Sequence, residues 1–339
     1  MKAVVWTGPR QMEIQEVDRP EPGDGELLIH VEAVGICGSE LSGFLGENSL
    51  RVPPLIMGHE FAGEVAAIGS GVDGHQLGER VTVNPLLTCG QCPSCLMGLE
   101  SLCATRQLIG VHRSGAFAEY VTAPAANCLP MPDGMSAVTG SLAEPLACGV
   151  RAARLGGVTQ GSRVVVLGAG AIGLMCISAV RKLGGSALMN VEVNPGRLAT
   201  ASSWGAENIC DARSQDPAAM IKELTGGMGA DVVIDAVGSS ITRRTAVDLV
   251  RPGGTVVLVG LHEAESIFAA NHIIRSEIKL TGSFAYSGED FAQAVAMLAA
   301  GDVPSSGDWL ETRELEACAA SFTQLVDDPP AAAKITLIP

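Results

Sequence analysis

The chain has 339 residues, 47% of them hydrophobic and 17% charged, a length that suits about two globular domains. Its formal net charge of −15 argues against nucleic acid or an anionic membrane as a partner, because both reward basic patches. The N-terminal MKAVVWTGPRQMEIQE lacks the apolar core of a secretory signal, and the uncharged run between Arg163 and Arg181 is broken by Gly168, Gly170 and Gly173. We therefore expect no membrane span and a cytoplasmic protein. Ten cysteines in that setting point to metal binding rather than disulfides.

In chain order, the first half carries short β-rich runs: Ala3–Thr7, Glu26–Ile36, Phe61–Gly69 and Glu79–Val83. Gly, Pro and Asp punctuation such as RPEPGDGE separates them, so a small, mostly-β unit is expected. Near residue 150 the pattern changes to strands alternating with helices. Strand Arg163–Gly168 leads to a helix over Ile172–Leu183, strand Ala187–Glu192 to a helix from Arg197, and strand Asn208–Ala212 to a helix over Ala218–Leu224. Strand Asp231–Gly238, a helix over Thr242–Val250, strand Gly254–Gly260 and strand Ile278–Phe284 complete the series. Such alternation predicts an α/β fold with a doubly wound parallel sheet covered on both faces. From Gly288 an amphipathic helix returns Phe291, Val295 and Leu298 to one face, and Lys334–Pro339 reads as a last strand able to rejoin the first unit. The expected domains are 1–149 with 286–339, and 150–285.

Four cysteines, Cys89, Cys92, Cys95 and Cys103, follow C-x2-C-x2-C-x7-C. That spacing lets four thiolates close around one tetrahedral zinc with no room for substrate, so its role is to pin a loop. A second set, Cys37, His59 and Glu60, sits in Gly-flanked turns and suits a zinc with an exchangeable position. Glu144, at a helix start near Pro145, is the expected further ligand; Cys148, one turn on, is its rival. Glu60 either binds directly or alternates with water. The remaining cysteines, Cys128, Cys176, Cys210 and Cys318, have apolar neighbours and read as packing residues.

Gly168, Gly170 and Gly173 form G-x-G-x-x-G between an apolar strand and a helix, with Ala171 and Ile172 opening that helix. The glycines allow the tight turn and a close approach of pyrophosphate to the helix N-terminus. Glu192 ends the next strand, where an acid holds the ribose diol; with no Arg directly after it and Arg197 a turn later, NAD is expected over NADP. A closed zinc, an open zinc and a dinucleotide site together point to metal-assisted hydride transfer.

These residues resemble the zinc-dependent medium-chain dehydrogenase family. Gly58-His59-Glu60-x-x-Gly63 with Gly69 and Val72, the four-cysteine lobe, GAGAIG and GADVVIDAVG carry the likeness over the whole chain. It implies a GroES-like catalytic domain, a Rossmann domain, two zinc ions per subunit, and homodimers or homotetramers. AEPLA is most similar to the polyol branch, the sorbitol- and xylitol-type dehydrogenases, in which Glu replaces a Cys ligand. By that likeness Cys37, His59, Glu60 and Glu144 address the catalytic zinc, Ser39 is the proton-relay hydroxyl, and Phe117 and Tyr286 line the cleft for a small alcohol or polyol. Three residues depart from the pattern: Glu40 where Asp is usual behind the histidine, Ser42 where many relatives have a relay histidine, and Ala285 where sorbitol dehydrogenases carry Arg. Two rival functions remain at this level. One is a threonine-type 2-amino-3-hydroxy acid dehydrogenase, with Arg113 as its carboxylate partner; the other is a catalytically silent zinc- and NAD-binding protein.

Overall fold

The computed structural model describes residues 1–339. Two sheet systems organise the chain. In the first, strands Cys128–Pro130, Arg80–Val83, Glu60–Ile68, Glu26–Gly35, Lys334–Ile338 and Leu310–Glu314 lie side by side, and Tyr120–Pro124 also pairs with Glu26–Gly35. The central strand Glu26–Gly35 is buried at seven of its ten positions, more than the alternation of an open sheet allows. Register shifts between Leu28 and Ile29, and between Val31 and Ala33, bend it so that its two faces share one curved core. Gly63 is required opposite the second bend, because a Cβ there would lie 1.9 Å from the His30 carbonyl oxygen. Trp6, Phe44, Phe61, Phe117 and Phe322 fill that core.

The second system is a six-stranded parallel sheet in the order Ile209–Asp211, Ser186–Glu192, Arg163–Leu167, Ala230–Asp235, Val250–Leu258 and Lys279–Gly282. The chain winds outward one way from Arg163–Leu167 and then the other, which leaves a crevice at the carboxyl ends of the central strands. Val164, Val165, Val166, Val233 and Ile234 are fully buried or nearly so, as a sheet covered on both faces requires.

Helix Ala143–Leu155 joins the two systems, packing against helices Ala171–Lys182 and Gly288–Ala299. Gly149 permits the first crossing: a Cβ there would sit 2.7 Å from the Met175 backbone. Arg154 donates to the fully buried Asp290 at 2.9 Å and locks the second. Several boundaries differ from the sequence reading. The helix expected from Arg197 starts at Pro195, since Pro is preorganised for the first helical position and the Asn194 side chain accepts from the Gly196 and Arg197 amides. Helix Ala270–Arg275 and strand Leu310–Glu314 carried no sequence signal; the latter pairs in parallel with the last strand.

Candidate functional site

Strand Glu26–Gly35 delivers the chain to Cys37, which caps the short helix Gly38–Phe44. A glycine at 58, at φ +100°, turns the chain so that His59 and Glu60 enter the next strand facing the same point; a Cβ there would meet the Phe117 amide nitrogen at 2.7 Å. The Cys37 sulfur, a His59 nitrogen and a Glu60 oxygen all lie within 4.8 Å of one another. Glu40, fully buried, holds this arrangement. It accepts from the Cys37 amide at 3.0 Å, from the Gly58 amide at 2.9 Å, and pairs with His59 Nδ1 at 2.8 Å. Nδ1 is thereby committed, and Nε2 is the nitrogen left to bind a metal. Burial alone would lower the His59 pKa, but the carboxylate of Glu40 and the Cys37 thiol outweigh it and hold it well above the ordinary range.

Glu144 and Cys148 face the same pocket from helix Ala143–Leu155, one turn apart, though Glu144 lies outside the closest grouping. Burial raises the Glu144 carboxyl to about 7, the Glu60 carboxylate adding to it while His59 and Lys334 oppose. Cys148 is pushed well above the usual thiol range by burial and by Glu144. Tyr286 is fully buried, its ring 5.8 Å from that of Phe291, and its hydroxyl faces the Glu144 carboxyl without closing to a short hydrogen bond.

Three site residues escaped the sequence reading. Lys334, 3% exposed, donates to the Ile36 carbonyl at 3.0 Å and to the Glu60 carboxylate. Gly35 makes that possible, because a Cβ at 35 would lie 2.3 Å from Glu60 Oε2 and 2.8 Å from Lys334 Cε. A lysine opening the apolar run KITLIP was the only signal. Arg51, also buried, donates to the Ser39 carbonyl at 3.0 Å and reaches the Ser39 hydroxyl at 3.4 Å; nothing local marked it. Asn190, in mid-strand, donates to the Val166 and Gly168 carbonyls at 3.1 and 2.9 Å, tying down the glycine turn; a polar residue inside ALMNVE was the available clue.

Ser39 Oγ stands 3.3 Å from Cys37 Sγ, whereas the Ser42 hydroxyl turns back to the Ser39 carbonyl at 2.9 Å. Phe117, expected on the cleft wall, is a core residue instead. It is fully buried and packs edge-on against Phe322 at 5.8 Å, because the Gly58 turn lies directly over its backbone. Arg113 is engaged elsewhere, by Glu26 at 2.7 Å and Thr122 at 2.6 Å.

The four-cysteine lobe meets a direct geometric test. Thiolates about 2.3 Å from a tetrahedral zinc are separated by about 3.8 Å. The sulfurs of Cys89 and Cys95 lie 4.0 Å apart, those of Cys92 and Cys95 3.5 Å, and those of Cys89 and Cys103 3.6 Å. At the glycine turn, Gly168 adopts φ +94°, and Gly173 approaches so closely that a Cβ would be 2.1 Å from the Gly168 carbonyl oxygen. Gly170, by contrast, would meet nothing within 4 Å, leaving open space at the N-terminus of helix Ala171–Lys182 for a phosphate. Ala171 and Ile172 form the first turn of that helix. Glu192 accepts from the Ala169 amide at 2.8 Å, placing its carboxylate on the turn. Arg197 reaches away, to the Pro330 carbonyl at 3.4 Å.

Comparison with known proteins agrees with this geometry. Residues 23–133 match the alcohol dehydrogenase GroES-like domain, and residues 171–300 match the zinc-binding dehydrogenase domain. The chain is 35% identical to sorbitol dehydrogenase of Bacillus subtilis over 89% of its own length and 87% of that protein. It is 33% identical to L-galactonate-5-dehydrogenase of Escherichia coli K12, over 89% and 88%. An alcohol dehydrogenase from Escherichia coli CFT073, solved in complex with the cofactor NADH, superposes with a TM-score of 0.91 at 28% identity, covering all of this chain and 99% of the other.

Proposed function

The chain belongs to the zinc-dependent medium-chain dehydrogenases, in their polyol branch, and from that premise we propose that it reversibly oxidises a secondary alcohol of a polyol or sugar-like substrate with NAD. The observation that carries the proposal is the convergence of Cys37, His59 and Glu60 within 4.8 Å of one another. Cys37 and His59 would hold a catalytic zinc, with Glu144 as the third ligand and Glu60 alternating with water at the exchangeable position. Cys89, Cys92, Cys95 and Cys103 would hold a structural one. When bound, zinc lowers the pKa of the alcohol and the nicotinamide accepts the hydride from the carbinol carbon.

The protein's own part follows from its side chains. Glu40 keeps His59 in one tautomer. Ser39, beside Cys37, takes the proton leaving the alcohol. With Ser42 bonded back to the backbone, the proton passes from Ser39 toward solvent without a second side chain on that helix. Tyr286, whose hydroxyl faces Glu144 at the edge of the donor set, would offer that hydroxyl to a substrate hydroxyl. Glu192 accepts from the ribose diol, and its negative charge disfavours the extra phosphate of NADP. We assign the catalytic unit to 1–149 with 286–339 and the cofactor unit to 150–285, and expect a homodimer or homotetramer. No helix is long and apolar enough to cross a membrane.

The test is a panel of polyols, inositols, sugar acids and threonine with NAD and with NADP, before and after chelation. Polyol-dependent NADH formation that chelation abolishes and zinc restores is the expected result. Turnover of threonine alone, or activity indifferent to chelation, would overturn the proposal.

A further inference from the structure

Tyr286 sits in a short connection between strand Lys279–Gly282 and helix Gly288–Ala299. The residue before it, Ala285, adopts φ +49°, a left-handed conformation that a residue with a side chain resists. Strain of this kind persists only where the surroundings over-determine it. Here the four-cysteine lobe grips the connection on both sides of Ala285. Glu100, between Cys95 and Cys103, accepts from the Gly288 amide at 2.6 Å. Arg106, three residues past Cys103, lies 5.2 Å from the centroid of the Phe284 ring. The lobe ties Arg106 down in turn, since Arg106 donates to the Cys103 carbonyl at 3.4 Å. At the helix start, Ser287 and Asp290 satisfy each other's amides and leave that of Gly288 to Glu100. Phe284 is 47% exposed, so its ring has little core packing to hold it otherwise.

We propose that the four-cysteine lobe, acting through Glu100 and Arg106, is a positioning element that sets the Tyr286 hydroxyl in the substrate pocket. The lobe thus tunes how substrate is held as well as bracing the fold. The inference rests on the reading of Tyr286 as a substrate contact. Glu100 and Arg106 are positioning residues, since Glu100 holds the Gly288 amide and Arg106 the Phe284 ring and neither touches Tyr286 itself. The separation of 188 positions from Glu100 to Gly288 makes this a long-range constraint that no local sequence pattern encodes.

The experiment is a double-mutant cycle in the full-length, zinc-loaded enzyme using Glu100→Ala, Tyr286→Phe and the pair, with Glu100→Gln as the conservative control. Glu100→Ala should raise KM for the polyol by up to about tenfold, the most that losing the Tyr286 hydrogen bond to substrate can cost, while kcat and the KM for NAD stay within about twofold. In the Tyr286→Phe background the same change should have no further effect on KM. Glu100→Gln, which keeps an acceptor for the Gly288 amide, should recover most of the loss. Hydrogen exchange across residues 283–290 should quicken in Glu100→Ala and Arg106→Ala and stay unchanged in the cysteine loop. An equal KM effect of Glu100→Ala with and without Tyr286, or unchanged exchange at 283–290, would overturn the inference. Absence of any polyol turnover in the parent enzyme would refute the activity instead, and the exchange measurement would still decide whether the lobe orders this segment.

Discussion

Replacing Glu40 with Gln tests how a buried carboxylate organises the site. Glu40 accepts three hydrogen bonds through two oxygens: Oε2 takes the Cys37 amide, and Oε1 takes the Gly58 amide and His59 Nδ1. Burial raises its pKa, but His59 and Arg51 outweigh that and keep the carboxyl below its ordinary value, so it is charged near neutral pH. Gln has nearly the same shape but one acceptor oxygen. With that oxygen serving Gly58 and His59, its NH2 group meets the Cys37 N–H, donor against donor. One buried donor left unpaired costs about 1–3 kcal/mol. The carboxylate that would orient His59 as a metal ligand is lost as well, which should weaken metal affinity about 10–100-fold. Urea unfolding of the metal-free protein reads the first quantity, and competition with a zinc chelator reads the second. If Glu40→Gln left stability within about 0.5 kcal/mol and zinc affinity unchanged, the reasoning from this hydrogen-bond set would be refuted.

Other expectations bear on separate parts of the structure. Arg51→Met should lower kcat about tenfold by freeing the Ser39 hydroxyl, with the KM for NAD unchanged in steady-state assays. Phe117→Ala should cost about 3–5 kcal/mol in unfolding free energy, as for a core aromatic, and leave the KM for the alcohol near that of the parent. For Asp231, burial alone would raise the pKa, but Arg251 and Arg163 bring it below the ordinary value. Because the folded-state pKa is depressed, the stabilisation is present above the unfolded value of about 3.9 and is lost as the pH falls through the folded one. Asp231→Asn should therefore flatten the acid limb of the stability curve by about 1 kcal/mol in pH-dependent denaturation, given the partly exposed arginines.

What could be read in the sequence was local. Four thiols within fifteen residues, or a glycine turn between a valine-rich strand and a helix, define their own geometry, so Cys89 to Cys103 and Gly168 to Gly173 fall where their spacing put them. Glu192 was legible because a strand's end is marked by its composition. Contacts between distant segments were not legible. Lys334 meets Glu60 across 274 residues, and only the closing of the last strand onto Glu26–Gly35 brings them together. Arg51 reads as an ordinary surface arginine until helix Gly38–Phe44 folds over it. Phe117 was misplaced because an aromatic side chain suits a cleft wall and a core equally. The Gly58 backbone, and not composition, decides between them.

The most direct test of the account is zinc-edge anomalous diffraction from crystals of catalytically competent protein grown with NAD. Two peaks per chain are expected, one enclosed by Cys89, Cys92, Cys95 and Cys103, the other against the Cys37 sulfur and His59 Nε2. A single peak in the cysteine lobe, from enzyme that still oxidises the alcohol, would contradict it.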